Sequence, residues 1–255
     1  MIEWSAHAYA AELKRFGVTG SVWLAAHEIP TGVEVPPTWL ALLTASDDRV
    51  ADELVQMWAG VIDRLPAIAQ FFRDKLARPA VFRSDDGGVM LLYPYTVESG
   101  DLNFFIGCMP LGERAPVDES FWCALPDGLR LFYENVHDGW TFFPANSMGP
   151  MPIGDQIALT DKLDLTPDET RKLGVNLDLV WTIFQNGSGD YLCLDLRDSA
   201  GDGSAAGRLW WHENPTEIEP VDFWALMNAW FEIFVEEADK RCGGPGRTPS
   251  FLRTV

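Results

Sequence analysis

The chain has 255 residues, of which 47% are hydrophobic, so it is long enough and apolar enough to bury a substantial core, which excludes a disordered chain. Its 38 acidic residues outnumber its 19 basic residues and give a formal net charge of -19. This balance argues against direct binding to nucleic acid, because affinity for phosphate backbones comes mainly from Lys and Arg. It fits either a basic partner or acidity that only keeps the protein in solution.

The N-terminal part begins with helical patterns. Ser5 is a suitable N-cap for a helix that ends at Phe16. A second helix is predicted after Ser46, interrupted at Pro66 and resuming before Pro79. Its apolar residues recur every three or four positions and predict one buried face: Val50, Leu54, Met57, Trp58, Val61 and Leu65.

Short apolar runs of strand length follow at residues 80–83, 89–93 and 102–106. Turn-forming residues separate them at 85–88 and 98–101. The pattern predicts an antiparallel meander.

A Pro- and Gly-containing stretch at residues 110–116 is the best candidate for a linker. A linker at this position would divide the chain into a helical plus β-meander region at 1–113 and an α+β domain at 114–241, followed by a flexible tail at 242–255. A single continuous domain is the alternative to this division.

Beyond the linker, a short helix is predicted around residues 129–133 and a turn at 137–139, and residues 144–154 are predicted to form a loop. Residues 166–169 (Thr-Pro-Asp-Glu) form a capping box that predicts a helix of about two turns, ended by Gly174.

A β-hairpin is the clearest local prediction. Residues 180–184 and 191–196 flank the turn at 186–189, and a further strand is expected at 208–212. The second strand alternates, so one face should meet the core, carrying Leu192, Leu194 and Leu196.

The last predicted element is a helix that starts near Pro220 and ends near Arg241. Its broad apolar face is formed by Phe223, Met227, Trp230, Phe231, Phe234 and Ala238. Together the elements predict an α+β fold, with a mainly antiparallel sheet packed against helices and a helix-rich N-terminal half that carries its own short strands.

Known catalytic and metal-binding patterns are missing from the sequence. Ser188 lies in a hairpin turn rather than in a nucleophile elbow, and the four histidines are dispersed. The acidic loop at 195–203 lacks the spacing of a calcium-binding EF-hand. We therefore predict no catalytic residue, no metal and no cofactor, although a carboxylate pair brought together by folding remains open.

Adjacent aromatic residues occur at Phe121-Trp122, Trp210-Trp211 and Phe223-Trp224. On a strand, neighbouring side chains point to opposite faces, so one of Trp210 and Trp211 should face away from the main core. Either a helix covers that face, or the aromatic side chain forms part of a patch that anchors a protein partner.

The sequence begins without the pattern of a signal peptide, and no apolar segment reaches the ~20 residues that span a bilayer. Four widely spaced cysteines match neither a disulfide framework nor a zinc site, which favours buried thiols. These features predict a cytoplasmic protein that does not bind membranes.

The order of elements from residue 117 to 239 resembles the SUKH superfamily. The resemblance is carried by Leu125-Pro126 before a short helix, a glycine turn at Gly139, the hairpin sequence at 189–195, a further strand and an aromatic terminal helix. That superfamily includes fungal regulators of cell-wall synthesis and bacterial proteins that protect their producers from toxins.

The resemblance implies an α+β binding protein without a cofactor or a shared catalytic set. It predicts an immunity protein, not an enzyme, that occludes a cognate toxin or effector with a basic surface; a carboxylate-dependent hydrolase and a regulatory scaffold are the alternatives. Oligomeric state is not predicted. The candidate contact residues lie on expected loops and strand ends: Asp138, Trp140, Asp198, Asp202 and Glu213.

Overall fold

A computed structural model of the chain describes residues 5–112, 119–197 and 206–241. Within these ranges, helices accompany two antiparallel sheets of five strands each. The predicted α+β fold class is therefore confirmed. The tail predicted at 242–255 and most of the linker predicted at 110–116 lie outside the described residues.

The N-terminal part is mainly helical. Its elements are α1 (Ala6–Arg15), β1 (Gly20–Trp23), α2 (Pro37–Thr44), α3 (Val50–Met57) and α4 (Pro66–Asp74). The Ser5 hydroxyl accepts a hydrogen bond from the backbone N–H of Ala8, as expected for the N-cap of α1. The sequence patterns did not indicate β1 or α2.

The helix predicted from Ser46 to Pro66 is shorter than expected, because α3 ends at Met57. Gly60 adopts a φ of 101°, a left-handed conformation that an α-helix does not contain. A short 3-10 helix at Ile62–Arg64 then leads into α4, which begins at Pro66 as the predicted second segment does.

The first sheet consists of β1, β2 (Ala80–Ser84), β3 (Val89–Thr96), β4 (Leu102–Cys108) and β5 (Trp140–Phe143), in that order. All neighbouring pairs are antiparallel, and β2, β3 and β4 form the predicted meander. Strand β5 belongs to the predicted second domain, so this sheet crosses the boundary placed at 113–114.

The second sheet contains β6 (Gly149–Pro150), β7 (Val180–Gln185), β8 (Tyr191–Asp195), β9 (Ala206–Trp210) and β10 (Ile218–Asp222), again in sequential order. Strands β7 and β8 form the predicted hairpin. Leu192 and Leu194 contact the main core as predicted, whereas Cys193 packs on the opposite face of the sheet.

The remaining helices are α5 (Glu119–Ala124), α6 (Asp127–Asn135), α7 (Leu159–Lys162), α8 (Pro167–Leu173) and α9 (Phe223–Arg241). The capping box of Thr166 and Glu169 is present at α8, and Gly174 ends that helix with a φ of 68°. Helix α9 begins later than predicted, because residues 218–222 pair with β9 as an edge strand.

The two sheets meet where β5 turns into β6. Phe142 donates its backbone N–H to the carbonyl of Ser147 (2.7 Å), and Met148 donates to the carbonyl of Gln185 (2.7 Å). The backbones approach so closely that a Cβ atom at Gly149 would overlap the carbonyl oxygen of Trp140. Residues 144–154, predicted as a loop, therefore contain the strand that joins the sheets.

Helix α9 fills the space between the inner faces of the two sheets. Phe231 makes ring contacts with Phe71 on α4 and with Phe105 and Trp140 on the first sheet. The preceding residue, Trp230, contacts Phe184 on the second sheet. These residues belong to one hydrophobic cluster, which spans both predicted domains.

Other helices cover the outer faces of the sheets. Tyr9 and Leu13 of α1 pack on the first sheet, where Tyr9 meets Phe104 edge to face at 5.6 Å. On the second sheet, Leu159 of α7 packs in a separate cluster with Cys193. Both sheets are thus covered on two sides by apolar side chains of the chain itself.

Candidate functional site

Asp138 lies in the turn between α6 and β5 and is half-buried. Its carboxylate accepts a hydrogen bond from the backbone N–H of Ile153 (2.8 Å), which ties this turn to the segment after β6. Burial raises the pKa of Asp138, the Ile153 hydrogen bond opposes that rise, and the nearby Asp155 adds to it. Asp138, on which the charge of Asp155 acts, is the candidate for the carboxylate pair that the hydrolase alternative requires.

Buried polar groups lie next to this pair. The hydroxyl of Tyr133 donates to the carbonyl oxygen of Met151 (3.1 Å) and accepts from the Gln156 amide (2.6 Å). The same amide nitrogen also donates to Met151 (2.9 Å). These bonds fix the segment after β6 against α6, so they account for the local structure without a substrate.

Cys108 is half-buried beside the same turn. Burial, together with the charges of Asp138 and Asp155, raises the pKa of its thiol to about 11. Since the thiolate is the reactive form of cysteine, this thiol is protonated at neutral pH and is a poor nucleophile.

His137 is fully buried in the aromatic core. Its Nδ1 lies 3.0 Å from the carbonyl oxygen of Cys108, so Nδ1 carries the proton and Nε2 accepts from the Tyr93 hydroxyl at 2.5 Å. The Trp58 indole donates to the same hydroxyl (3.2 Å). Burial lowers the pKa of His137 to about 3, against the effect of the Cys108 carbonyl, so the ring is neutral and structural.

Trp140 does not belong to a contact surface, and its selection as a contact residue was wrong. Its side chain is 0% exposed and stacks on Phe105 with the ring centroids 4.3 Å apart. Trp140 was selected because it follows the glycine turn at Gly139, where the sequence predicts an exposed strand end. The register of β5 against β4 instead directs this side chain into the core beside α9.

The hairpin that carries the SUKH resemblance contains two buried carboxylates. Asp190 accepts from the backbone N–H of His212 (3.1 Å), contacts its Nδ1 (2.7 Å) and accepts from the Asn186 amide (2.7 Å). Burial alone would raise the pKa of Asp190, but the His212 and Asn186 hydrogen bonds hold it below its usual range. Asp190 thus connects the β7–β8 turn to the β9–β10 turn.

Asp195 ends β8 and is 0% exposed. Arg197 donates to both of its oxygens (2.9 and 2.6 Å), and Arg208 on the neighbouring strand donates twice to Oδ2 (3.2 and 3.0 Å). The Arg197 hydrogen bond, aided by Arg208 and opposed by burial, lowers the pKa of Asp195. Both hairpin carboxylates are therefore bonded within the fold.

Replacing Asp195 with asparagine is expected to lower the free energy of unfolding by about 2 kcal/mol at pH 7, because one charged partner of two arginines is lost. Partial exposure of Arg197 limits the effect. Because the folded-state pKa of Asp195 is lowered, its contribution is present above the unfolded pKa of about 4 and is lost as pH falls through the folded value. Urea unfolding of the variant and the wild type at pH 7 measures the loss of stability, and the same experiment at lower pH measures how that loss depends on pH.

The matched control is Asp178→Asn, since Asp178 is exposed on the approach to β7. It should change the unfolding free energy by less than about 0.5 kcal/mol. Equal effects of the two substitutions, or a difference between Asp195→Asn and the wild type that grows as pH falls, would contradict the assigned role of Asp195.

Glu213 lies exposed in the turn between β9 and β10, as predicted. Beside it, Trp211 is half-exposed and its indole donates to Glu219 (2.9 Å), whereas Trp210 is buried on the face of the sheet opposite α9. The expectation that one of the two tryptophans faces away from the main core is confirmed for Trp210, which packs in the separate cluster on the other face of the sheet. Asp198 and Asp202 lie outside the described residues.

The segment that begins just before the turn between β9 and β10 and continues along α9 as far as Asp239 carries acidic side chains and no Lys or Arg. Residues 209–239 contain no Lys or Arg and eight acidic residues, at positions 213, 217, 219, 222, 232, 236, 237 and 239. The segment forms β10 and nearly all of α9. The structure thus places Glu213 at the start of an acidic region that the local sequence patterns did not indicate as a unit.

No family model, curated protein or solved structure matches the chain. The resemblance to the SUKH superfamily consequently stays a prediction. In the described ranges, no three or more His, Cys, Asp or Glu side chains group in a way that could hold a metal ion. Of the helices in those ranges, none is both long enough and apolar enough to cross a bilayer.

Proposed function

We propose that the protein is an immunity protein that binds a cognate bacterial toxin or effector with a basic surface and neutralises it by stoichiometric occlusion. The support is the placement of charge together with the SUKH resemblance of residues 117–239. The proposal needs no bound cofactor, because occlusion depends only on the contact between two protein surfaces.

The observation that carries the proposal is where the carboxylates lie. In the described part of the chain, the buried carboxylates are Asp190 and Asp195, and both are bonded to partners within the fold. The other described acidic side chains with an assigned exposure are exposed or half-exposed. The acidic side chains of the described residues are therefore displayed mainly at the surface.

A surface of this kind attracts a basic partner. Opposite charges raise the rate of encounter and select against acidic competitors, whereas a small number of buried side chains supply most of the affinity. Neutralisation then requires only that the bound protein cover the active site or substrate groove of the toxin.

Co-expression tests the proposal. The open reading frame next to the gene is expected to encode a large secreted protein with a small toxic C-terminal domain, and this protein should restore growth of cells that express that domain. A catalytically inactive form of the toxic domain serves as the control for expression burden. Failure to restore growth, with both proteins present in soluble form, contradicts the proposal.

The Asp138–Asp155 pair favours one alternative, a carboxylate-dependent hydrolase, because a raised carboxyl pKa suits a general acid. Against it, Asp138 is already engaged by the Ile153 N–H. The double substitution Asp138→Asn and Asp155→Asn separates the two functions. A hydrolase should lose its activity with these changes, whereas an immunity protein that does not use Asp138 as a contact should still protect cells.

A further inference from the structure

The outer face of α9 is an exposed helix face on an otherwise buried element. We define it by five residues that follow helical spacing and lie at the surface or partly so: Ala225, Ala229, Glu232, Ile233 and Glu236. Ala225, Ala229, Glu232 and Glu236 follow one another at spacings of three or four residues, and Ile233 lies four residues after Ala229, so all five lie on one side of the helix. The opposite side carries Phe231 and the rest of the core contacts.

A hydrogen bond and an ion pair fix the position of this helix against α4. The side-chain oxygen of Asn228 accepts from the backbone N–H of Ala67 at the start of α4 (2.9 Å). Near the other end of α9, Lys75 forms an ion pair with Asp239. A partner that binds the outer face of α9 therefore meets a preorganised surface, which reduces the entropy lost on binding.

Ile233 is the most exposed of the large hydrophobic side chains in the described ranges, at 53%. It lies between Glu232 and Glu236 on the outer face of α9, so an apolar contact is flanked by carboxylates. Interfaces combine these two features, with an apolar centre that provides affinity and a charged rim that directs encounter.

The charge of the surroundings selects the partner. Strand β10 and helix α9 as far as Asp239 belong to the segment 209–239, which has eight acidic residues and no Lys or Arg, and the last two residues of the helix are Lys240 and Arg241. Of the described cations that contact α9, Lys75 is paired with Asp239, and the guanidinium of Arg64 lies over the Trp224 ring, 5.7 Å from its centroid. A second copy of the chain would bring its own net charge of -19 to this face, which opposes self-association.

We propose that the outer face of α9 is the docking surface for the effector, and that it receives a Lys- or Arg-rich segment whose apolar side chain packs on Ile233. This inference rests on the proposed function and names the surface through which that function is carried out.

The experiment measures binding of full-length variants to the purified, catalytically inactive toxic domain encoded by the neighbouring reading frame. Ile233→Ala and the double substitution Glu232→Lys and Glu236→Lys should each weaken binding about tenfold or more. The charge-reversed variant should also associate more slowly and with a smaller dependence on salt.

The matched control is the double substitution Asp161→Lys and Asp164→Lys, which changes the net charge by the same amount. Both aspartates are exposed, Asp161 within α7 and Asp164 just after it, on the side of the second sheet opposite α9. These controls should weaken binding far less than the substitutions on α9. Circular dichroism and unfolding curves check that every variant is folded, as expected for changes at exposed positions.

The possible outcomes distinguish an error in the docking surface from an error in the proposed immunity function. If the wild type binds and the α9 variants bind equally well, or if the α7 controls weaken binding as much, the docking surface is wrong and the immunity function stands. If the wild type does not bind the toxic domain, both the docking surface and the immunity function are wrong. A dimer of the protein alone that dissociates on Ile233→Ala, seen by sedimentation, would assign the face to self-association and overturn the inference.

Labelling of surface carboxyl groups provides an independent map. In the complex, Glu232 should be protected from carbodiimide-driven modification while Asp161 and Asp164 remain reactive, as read by mass spectrometry. Protection at the aspartates and none at Glu232 would contradict the assigned surface.

Discussion

Replacing Phe231 with alanine is expected to lower the free energy of unfolding by about 3–5 kcal/mol, the usual cost of removing a buried phenyl ring. Phe231 is 1% exposed and contacts Phe71, Phe105 and Trp140, which come from both predicted domains. The cavity would therefore weaken the shared core rather than one half. Chemical denaturation followed by tryptophan fluorescence and circular dichroism measures the effect.

Ile233→Ala is the matched control, because it truncates an aliphatic side chain only two residues away on the exposed face of the same helix. It should change stability by less than about 0.5 kcal/mol. We expect Phe231→Ala to shift one cooperative transition seen by both probes. Two separate transitions, only one of them shifted, would contradict a core shared by the two sheets.

Gly149→Ala is expected to destabilise the protein by about 3 kcal/mol or more, because the added methyl group would overlap the backbone carbonyl of Trp140. Backbone atoms cannot rotate away as a side chain can, so β5 and β6 must separate. That separation would disturb the junction of the two sheets. Thermal and chemical unfolding measure the loss.

Gly154→Ala is the control for this change, since a Cβ atom at Gly154 would meet no other atom within 4 Å. It lies five residues further along the same connection, in a short 3-10 helix. The control should be close to neutral. Equal stability of the Gly149→Ala protein and the wild type would show that the two sheets do not approach each other at β5 and β6.

Local sequence patterns correctly predicted the elements that have a complete capping pattern or a regular alternation of apolar residues. The capping box at Thr166 and the glycine at Gly174 bound α8, and the alternation of β8 correctly directs Leu192 and Leu194 to the core. Strand β10 was missed because Pro220 and two acidic residues make it resemble a helix start. The pairing of β10 with β9 at the edge of the sheet explains why residues 218–222 form a strand.

The candidate site was predicted only in part, since its contacts are tertiary. A glycine turn correctly placed Asp138 between α6 and β5, but its neighbour Asp155 comes from a segment that no local pattern links to it. Trp140 was misjudged because a short run such as Trp-Thr-Phe-Phe does not reveal which face it buries. The outer face of α9 could have been found from the absence of Lys and Arg in 209–239.

Calorimetric titration of the full-length protein with the inactive toxic domain, at low and at high ionic strength, tests the proposed function most directly. We predict a complex of one protein with one effector, whose affinity falls as ionic strength rises because the acidic surface is screened. Absence of binding at low ionic strength, or an affinity that salt leaves unchanged, would contradict neutralisation by an acidic docking surface.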